Sequence, residues 1–178
     1  GVPTSVQTQV QATGLGIPLV DLAAHETLDL TVDGADEIGP GLDLIKGLGG
    51  ALLREKMVAQ ASSRLLIISD DTKRVERLGT RSPLPVEVVD WALGAHQRFL
   101  ESTGAAVTLR MTGDTPTRSD NGNVFLDCRY PEGIDDPAGL EHALAYRAGI
   151  VDSGLFLGMA YAAVIASPGG VETIGRDA

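Results

Sequence analysis

The feature that most constrains the fold is an alternation of short apolar runs with a helix in the first half of the chain. Apolar and polar residues alternate over residues 28–32, and residues 42–45 form a second short strand candidate. Residues 51–61 contain no Gly or Pro and are rich in helix formers. The continuous apolar run 65–68 is typical of a strand covered on both faces. We therefore predict an α/β fold with an open, mostly parallel, Rossmann-like sheet that has helices on both faces.

Polar residues follow each of these three strand candidates. The first ends at Asp33, the second at Lys46, and the third at a loop of residues 70–73. Ligands of open α/β sheets bind at the carboxyl ends of the strands. The order of the elements therefore predicts that the chemistry of this chain lies at one edge of the sheet.

A second pattern begins at Pro83, where two prolines mark a boundary. The elements that follow have the order β-α-β-β-α-β, which is typical of a ferredoxin-like α+β module. The first half is a strand at 86–89, a helix at 91–102 that Gly104 stops, and a strand at 107–111. The second half is a strand at 124–129 that follows an Asn121-Gly122 turn, a helix from Asp136-Pro137 to Arg147, and a strand at 150–151. We expect residues 83–151 to form a small domain inserted into an α/β catalytic domain of residues 1–82 and 152–178, to which a strand at 163–166 returns.

Charge and cysteine content exclude several classes of function. The formal net charge of −10 over 178 residues repels nucleic acids, and no apolar run is long enough to span a membrane. The only cysteine, Cys128, lies in an alternating apolar run and is expected to be a core residue. A protein with one cysteine forms no internal disulfide, so a cytoplasmic location is expected.

The turn Asp33-Gly34-Ala35-Asp36-Glu37 carries three carboxylates at a strand end. It is compatible with a solvated turn, because Asp and Gly are favoured there for backbone reasons. Carboxylate oxygens also suit a divalent cation, although the spacing is not that of a calcium loop and no histidine is near. The third interpretation is a pair of acids that handle sugar hydroxyls.

The segment Lys46-Gly47-Leu48-Gly49-Gly50 leads directly into the predicted helix. Glycines let a backbone approach a ligand, and a helix start beside a lysine favours anionic oxygens. The segment therefore predicts an oxyanion or phosphate site. It matches neither the P-loop pattern nor the dinucleotide-binding fingerprint.

Glu55 shares one face of the predicted helix with Leu52 and Ala59, so its carboxylate should emerge from an apolar stripe. Partial burial would raise its pKa, which suits a base that works near neutral pH. The alternative is a surface glutamate flanked by Arg54 and Lys56.

Taken together, these segments closely resemble the type A ribose-5-phosphate isomerase family over nearly the whole chain. The resemblance is carried by Leu28 to Ile38, Leu44 to Lys56, Ser69 to Lys73, Pro83 to Val88, Asp120 to Asn123 and Val151 to Phe156. It implies an aldose–ketose isomerase of the non-oxidative pentose phosphate pathway, which interconverts D-ribose 5-phosphate and D-ribulose 5-phosphate through an enediolate. No metal and no cofactor are implied, and a homodimer or a dimer of dimers is expected.

The resemblance also assigns roles to individual residues. Glu55 would be the base, Asp33 would assist opening of the sugar ring, and Asp36 would hold sugar hydroxyls. Lys46 and the backbone N–H groups of residues 47–49 would stabilise the developing oxyanion. The substrate-binding set implied in this way is Asp33, Gly34, Ala35, Asp36, Lys46, Gly47, Leu48, Gly49 and Lys73.

Two departures from the family pattern qualify this interpretation. Leu48 occupies a position that is usually glycine, and its side chain must point away from the sugar or narrow the pocket. Family members also carry a strand, a Gly-Thr-Gly-Ser-Thr phosphate loop and a helix before the segment that matches residues 2–5. If the molecule began at Gly1, a truncated isomerase with weak or no activity would be expected.

Two other classes of function compete with the isomerase. A sugar-phosphate sensor would bind its ligand without catalysis, and it would have no need for the base Glu55. An acyl or coenzyme A transferase of related fold would use Glu55 as a nucleophile. The acidic turn of residues 33–37 argues against the transferase.

Overall fold

The computed structural model describes residues 1–175, in which short helices and strands alternate along the chain. The α-helices are α1 (Val6–Gly14), α2 (Leu52–Gln60), α3 (Leu93–Glu101) and α4 (Pro137–Ala145). The strands are β1 (Thr31–Asp33), β2 (Glu37–Ile38), β3 (Leu44–Ile45), β4 (Leu65–Asp70), β5 (Leu84–Val88), β6 (Ala106–Leu109), β7 (Met111–Thr112), β8 (Thr115–Pro116), β9 (Val124–Arg129), β10 (Ile150–Ser153), β11 (Leu155–Phe156), β12 (Ala160–Ser167) and β13 (Gly170–Gly175).

The main sheet has the strand order β1-β4-β12-β13 and is mostly parallel, as predicted. Strand β4 pairs in parallel with β1 and with β12, whereas β13 is antiparallel to β12. Helix α2 connects β1 to β4 and covers one face of the sheet, where Ala59 packs with Leu65 and Ile67 in a buried core. The predicted return of the chain to the main sheet at residues 163–166 is confirmed by β12.

On the other face of the main sheet, two apolar side chains of residues 1–175 are half exposed. Val32 is 52% exposed and Ile68 is 51% exposed. Side chains alternate along a strand, so Leu65 and Ile67 enter the core while Ile68 points to the opposite side. An apolar run shows that a strand is hydrophobic on both faces, but not that both faces are covered.

Two strand predictions need correction. The first strand begins at Thr31 because Leu28 donates its N–H to Ala61 and accepts from Ser63, and so pairs with the turn after α2. The second candidate contributes only β3, which joins β2 and β11 in a separate antiparallel sheet of order β11-β3-β2. Lys46 therefore follows a strand outside the main sheet.

A second four-stranded sheet has the order β10-β5-β9-β6, and all its pairings are antiparallel. Numbered within this module, the order is 4-1-3-2, which confirms the ferredoxin-like arrangement. Asp136 caps α4 by accepting from the Gly139 N–H, and Pro137 occupies the first turn, as predicted. Cys128 is fully buried in this module, and burial raises the pKa of its thiol to about 12.

The boundary expected between residues 151 and 152 falls inside β10. The core of the antiparallel module also includes Ile45 and Leu155, which belong to the small three-stranded sheet. We therefore propose that the small domain extends to the end of β10 and shares its core with the strands that precede and follow the site. No helix within residues 1–175 is long and apolar enough to cross a membrane.

Gly154 provides a test of this shared packing. A Cβ atom at this position would lie 2.1 Å from the Lys46 carbonyl oxygen and 2.9 Å from Pro85. Gly154→Ala should therefore lower the free energy of unfolding by about 1–3 kcal/mol, as overpacking does elsewhere. Denaturant titration measures the free energy of unfolding of each variant. Gly175→Ala is the control, because a Cβ there meets no atom within 4 Å. Equal stability of the two variants would show that residues 46 and 154 are not tightly packed.

Candidate active site

Lys46 is the centre of the predicted site. Its ammonium lies 2.9 Å from Asp33 Oδ2 and 3.1 Å from Glu55 Oε2, and it donates to the Gly34 carbonyl at 2.7 Å. The residue is only 3% exposed. The structure therefore brings the ends of β1 and β3 and the first half of α2 together around one buried positive charge.

Glu55 is a partly buried carboxylate and not a solvated surface glutamate. Its side chain is 14% exposed and faces the Lys46 ammonium. Burial raises the pKa of Glu55, the Lys46 charge lowers it, and the Asp33 and Asp36 carboxylates raise it, with burial the largest of these effects. The net shift is upward, in the direction predicted from the apolar face of the helix.

The glycine loop is closely fitted to the start of α2. Gly47 has a φ of +101°, and a Cβ there would lie 2.6 Å from the Leu52 Cβ, so a larger residue is excluded for two reasons. The Leu48 N–H donates to Asp36 Oδ2 at 2.9 Å. Asp36 thus accepts from one of the three N–H groups that the resemblance assigns to the oxyanion. The Leu48 side chain is 39% exposed.

The remaining predicted residues divide into two groups. Gly34 contacts Lys46 through its carbonyl, and Ala35 packs against the core of the main sheet. Lys73 lies in a short helical turn after β4, beside Asp70, and within residues 1–175 it makes no ion pair with the other predicted site residues. Its part in substrate binding therefore stays a prediction.

Glu37, the third carboxylate of the acidic turn, binds backbone groups and does not face the site. It is fully buried and accepts the backbone N–H groups of Gly79, Arg81 and Ser82. The turn therefore separates by burial into Asp33 and Asp36, which face the site, and Glu37, which anchors residues 79–82. Within residues 1–175, no group of three or more His, Cys, Asp or Glu side chains is arranged to hold a metal ion.

Two charged residues near the site were missed by sequence reasoning. Lys56 enters the sequence analysis only as a flank of Glu55 in the surface alternative, but it is 7% exposed and donates to Asp152 Oδ1 and to the Ser153 carbonyl. Arg110 reaches the glycine loop from the small domain. Their partners lie far away in sequence, so no local pattern signals these contacts.

Comparison with known proteins identifies the family of this chain. The family model described as ribose 5-phosphate isomerase A (phosphoriboisomerase A) matches residues 1–170. The chain belongs to this family. Ribose-5-phosphate isomerase A of Roseiflexus castenholzii is 52% identical over 172 residues, which cover 96% of this chain and 73% of that protein. The same enzyme of Gloeobacter violaceus is 52% identical over 175 residues, covering 98% of this chain and 76% of that protein.

Solved structures of ribose 5-phosphate isomerases share the fold. The Plasmodium falciparum enzyme superposes with a TM-score of 0.95 at 36% identity, covering 99% of this chain and 78% of that one. A D-ribose-5-phosphate isomerase in complex with phospho-erythronic acid gives the same TM-score and identity, with 99% and 77% covered. Ribose 5-phosphate isomerase membership supports the isomerase interpretation of the sequence and gives no support to the sensor.

The charges around Glu55 predict opposite effects of two substitutions on its pKa. Lys46→Met removes the charge that lowers this pKa and should raise it further. Asp33→Asn removes a charge that raises it and should lower it. Carbon-13 NMR titration of the glutamate carboxyls measures both shifts.

Glu141 is an internal control in the same titration. Burial raises its pKa too, but its charged neighbours are Lys56, Asp152 and Asp43. Its titration should therefore be the same in both variants and in the wild type. Shifts of equal sign at Glu55 in the two variants would contradict the assigned charge pairing.

Proposed function

We propose that Glu55 is the base with which this enzyme interconverts ribose 5-phosphate and ribulose 5-phosphate. The observation that carries the proposal is the ion pair between the buried Lys46 ammonium and a carboxylate of raised pKa. A base is most effective when its pKa lies near the working pH. Burial moves Glu55 towards that condition, and Lys46 keeps the carboxylate oriented.

The reaction needs one proton transfer between neighbouring carbons. In the open-chain aldose, Glu55 removes the proton from C2, the electron pair forms the C1–C2 double bond, and the π electrons of the C1–O1 carbonyl move to O1 to give an enediolate. The hydroxyl proton moves from O2 to O1, and protonated Glu55 then delivers its proton to C1. One carbon–hydrogen bond breaks and one forms, so no oxidant or reductant is consumed.

Lys46 is proposed to stabilise the intermediate. Before proton transfer its positive charge faces the negative charges of Asp33 and Glu55. When Glu55 accepts the proton it becomes neutral, and the negative charge moves to the enediolate oxygen. The ammonium can then interact with this oxygen without any change in the total charge around it. A donor held in place before the reaction is the most effective form of oxyanion stabilisation.

Asp33 and Asp36 are proposed to act on the sugar hydroxyls. Asp33 contacts the same Lys46 ammonium as Glu55, and its carboxylate is proposed to assist ring opening. Asp36 is held by the Leu48 N–H, which leaves its other oxygen to accept a hydroxyl. Gly34, Ala35, Gly47, Leu48, Gly49 and Lys73 complete the proposed substrate-binding set.

Three broader features of the enzyme are carried over from the family. We propose that it works in the cytoplasm, where phosphorylated sugars are metabolised, and that it forms a homodimer or a dimer of dimers.

We also propose that an acid such as phospho-erythronic acid, which is bound in a related isomerase, binds here with its carboxylate beside Lys46. Of these features, the proposed homodimer or dimer of dimers is tested by sedimentation equilibrium, which measures the oligomeric state.

Glu55→Gln is the direct test of the base. Removing a general base should lower kcat for ketose formation from ribose 5-phosphate by about 100- to 10,000-fold. Glu141→Gln is the matched control, because Glu141 is also a partly buried helical glutamate with a raised pKa but lies in α4. We expect that variant to keep wild-type activity. A Glu55→Gln enzyme as fast as the wild type would show that Glu55 is not the base.

A further inference from the structure

Arg110 is a partly buried charge that the proposed proton transfer does not use. It follows β6 in the small domain, and its side chain is 14% exposed. Its Nε donates to Asp127 Oδ2 at 2.9 Å, and its guanidinium lies 4.7 Å from the centre of the Phe125 ring. A bidentate carboxylate and an aromatic face restrict the guanidinium to one position.

From this position Arg110 contacts the glycine loop of the catalytic domain. Its Nη1 donates to the Gly47 carbonyl at 3.2 Å and to the Leu48 carbonyl at 3.0 Å. These are charge-assisted hydrogen bonds to two consecutive peptide groups. The contact crosses more than 60 residues of sequence and joins the small domain to the loop before α2.

Peptide geometry converts these contacts into an effect on the site. In a planar trans peptide, the carbonyl of one residue and the N–H of the next point in opposite directions. Fixing the Gly47 carbonyl therefore directs the Leu48 N–H away from Arg110, and this N–H meets Asp36 Oδ2 at 2.9 Å. Fixing the Leu48 carbonyl directs the Gly49 N–H away from the guanidinium in the same manner.

We propose that Arg110 is a positioning residue that sets the direction of the Leu48 and Gly49 N–H groups. Through Leu48 it holds Asp36, and through Gly49 it aims a donor at the developing oxyanion. The proposal rests on the function proposed above for Glu55 and Lys46. The positive charge also polarises both peptide groups, which strengthens their N–H donors.

The first test compares kinetics of Arg110→Met with those of Arg118→Met. Arg118 pairs with Asp90 in the same small domain, and its other side-chain hydrogen bond among the described residues goes to the Gly122 carbonyl, so it controls for loss of a surface ion pair. In Arg110→Met one preorganised donor is misdirected, and kcat should fall about 10- to 100-fold. This fall is smaller than the one that follows when such a donor is removed altogether. We expect KM to change much less, and affinity for phospho-erythronic acid to fall with kcat. Arg118→Met should match the wild type.

Arg110→Lys addresses the possibility that the Met variant unfolds. Lysine keeps the positive charge but lacks the planar guanidinium group, so it cannot donate to Asp127 and to both loop carbonyls at the same time. We expect a folded enzyme with a kcat between those of the wild type and Arg110→Met. A fully active lysine variant, or an Arg110→Met variant with wild-type kcat, would overturn the positioning role.

Amide hydrogen exchange supplies a readout that does not depend on turnover. The Leu48 amide should be protected in the wild type and in Arg118→Met, and should exchange at least tenfold faster in Arg110→Met. Unchanged protection would overturn the proposal even if activity falls. Absence of turnover in the wild type would instead contradict the proposed function, and the exchange rates would still decide whether Arg110 orients the loop.

Discussion

The interaction on which the site depends is the sharing of one buried ammonium, that of Lys46, by two carboxylates. Burying a charge is unfavourable unless it is paired, so Lys46 requires that Asp33 and Glu55 approach it together. Each comes from a different element, and their meeting fixes β1, β3 and α2 relative to one another. The backbone reinforces this arrangement, because the Lys46 N–H donates to the Gly154 carbonyl while Gly154 packs against the Lys46 carbonyl. Burial is the largest cause of the raised pKa of Glu55; the Lys46 charge lowers this pKa, and the second carboxylate, Asp33, raises it further.

The small domain holds the helix of the base on both sides. Arg54 donates to the Asp120 carbonyl and to Asn121, whereas Lys56 donates to Asp152 and Ser153. These two residues flank Glu55 in sequence and bind two separate parts of the small domain. The Phe156 ring lies 5.4 Å from the Lys46 ammonium and 5.0 Å from that of Lys56, so one fully buried aromatic ring contacts both cations. The antiparallel module is thus a support for α2 and for its glycine loop as well as an independent sheet.

Local patterns in the sequence predicted most of the fold and part of the site. The helix bearing Glu55, the capped helix opened by Asp136 and the order of the small module depend on periodicity, capping and turn residues, which neighbouring positions determine. The raised pKa of Glu55 followed from its place on an apolar helical face. Burial of Lys56 depends on a partner 96 positions away, which no local pattern encodes. The exposure of Ile68 is not predicted, because the hydrophobicity of a strand does not reveal what covers its face. The hydrogen bond from the Leu48 N–H is not predicted either, because it depends on where the chain places Asp36, 12 positions away.

The central claim is that Glu55, held by Lys46, carries a proton between C2 and C1. The most direct measurement is the deuterium content of the sugar carbons after prolonged turnover of ribose 5-phosphate in deuterium oxide. A carboxylate that holds the proton between its two transfers exchanges it with solvent, so deuterium should accumulate at C1 of the ketose and at C2 of the aldose. The Glu55→Gln variant should incorporate none on the same time scale. Turnover by the wild type with all carbon-bound hydrogen retained would indicate a direct hydride shift between the two carbons and would contradict the account.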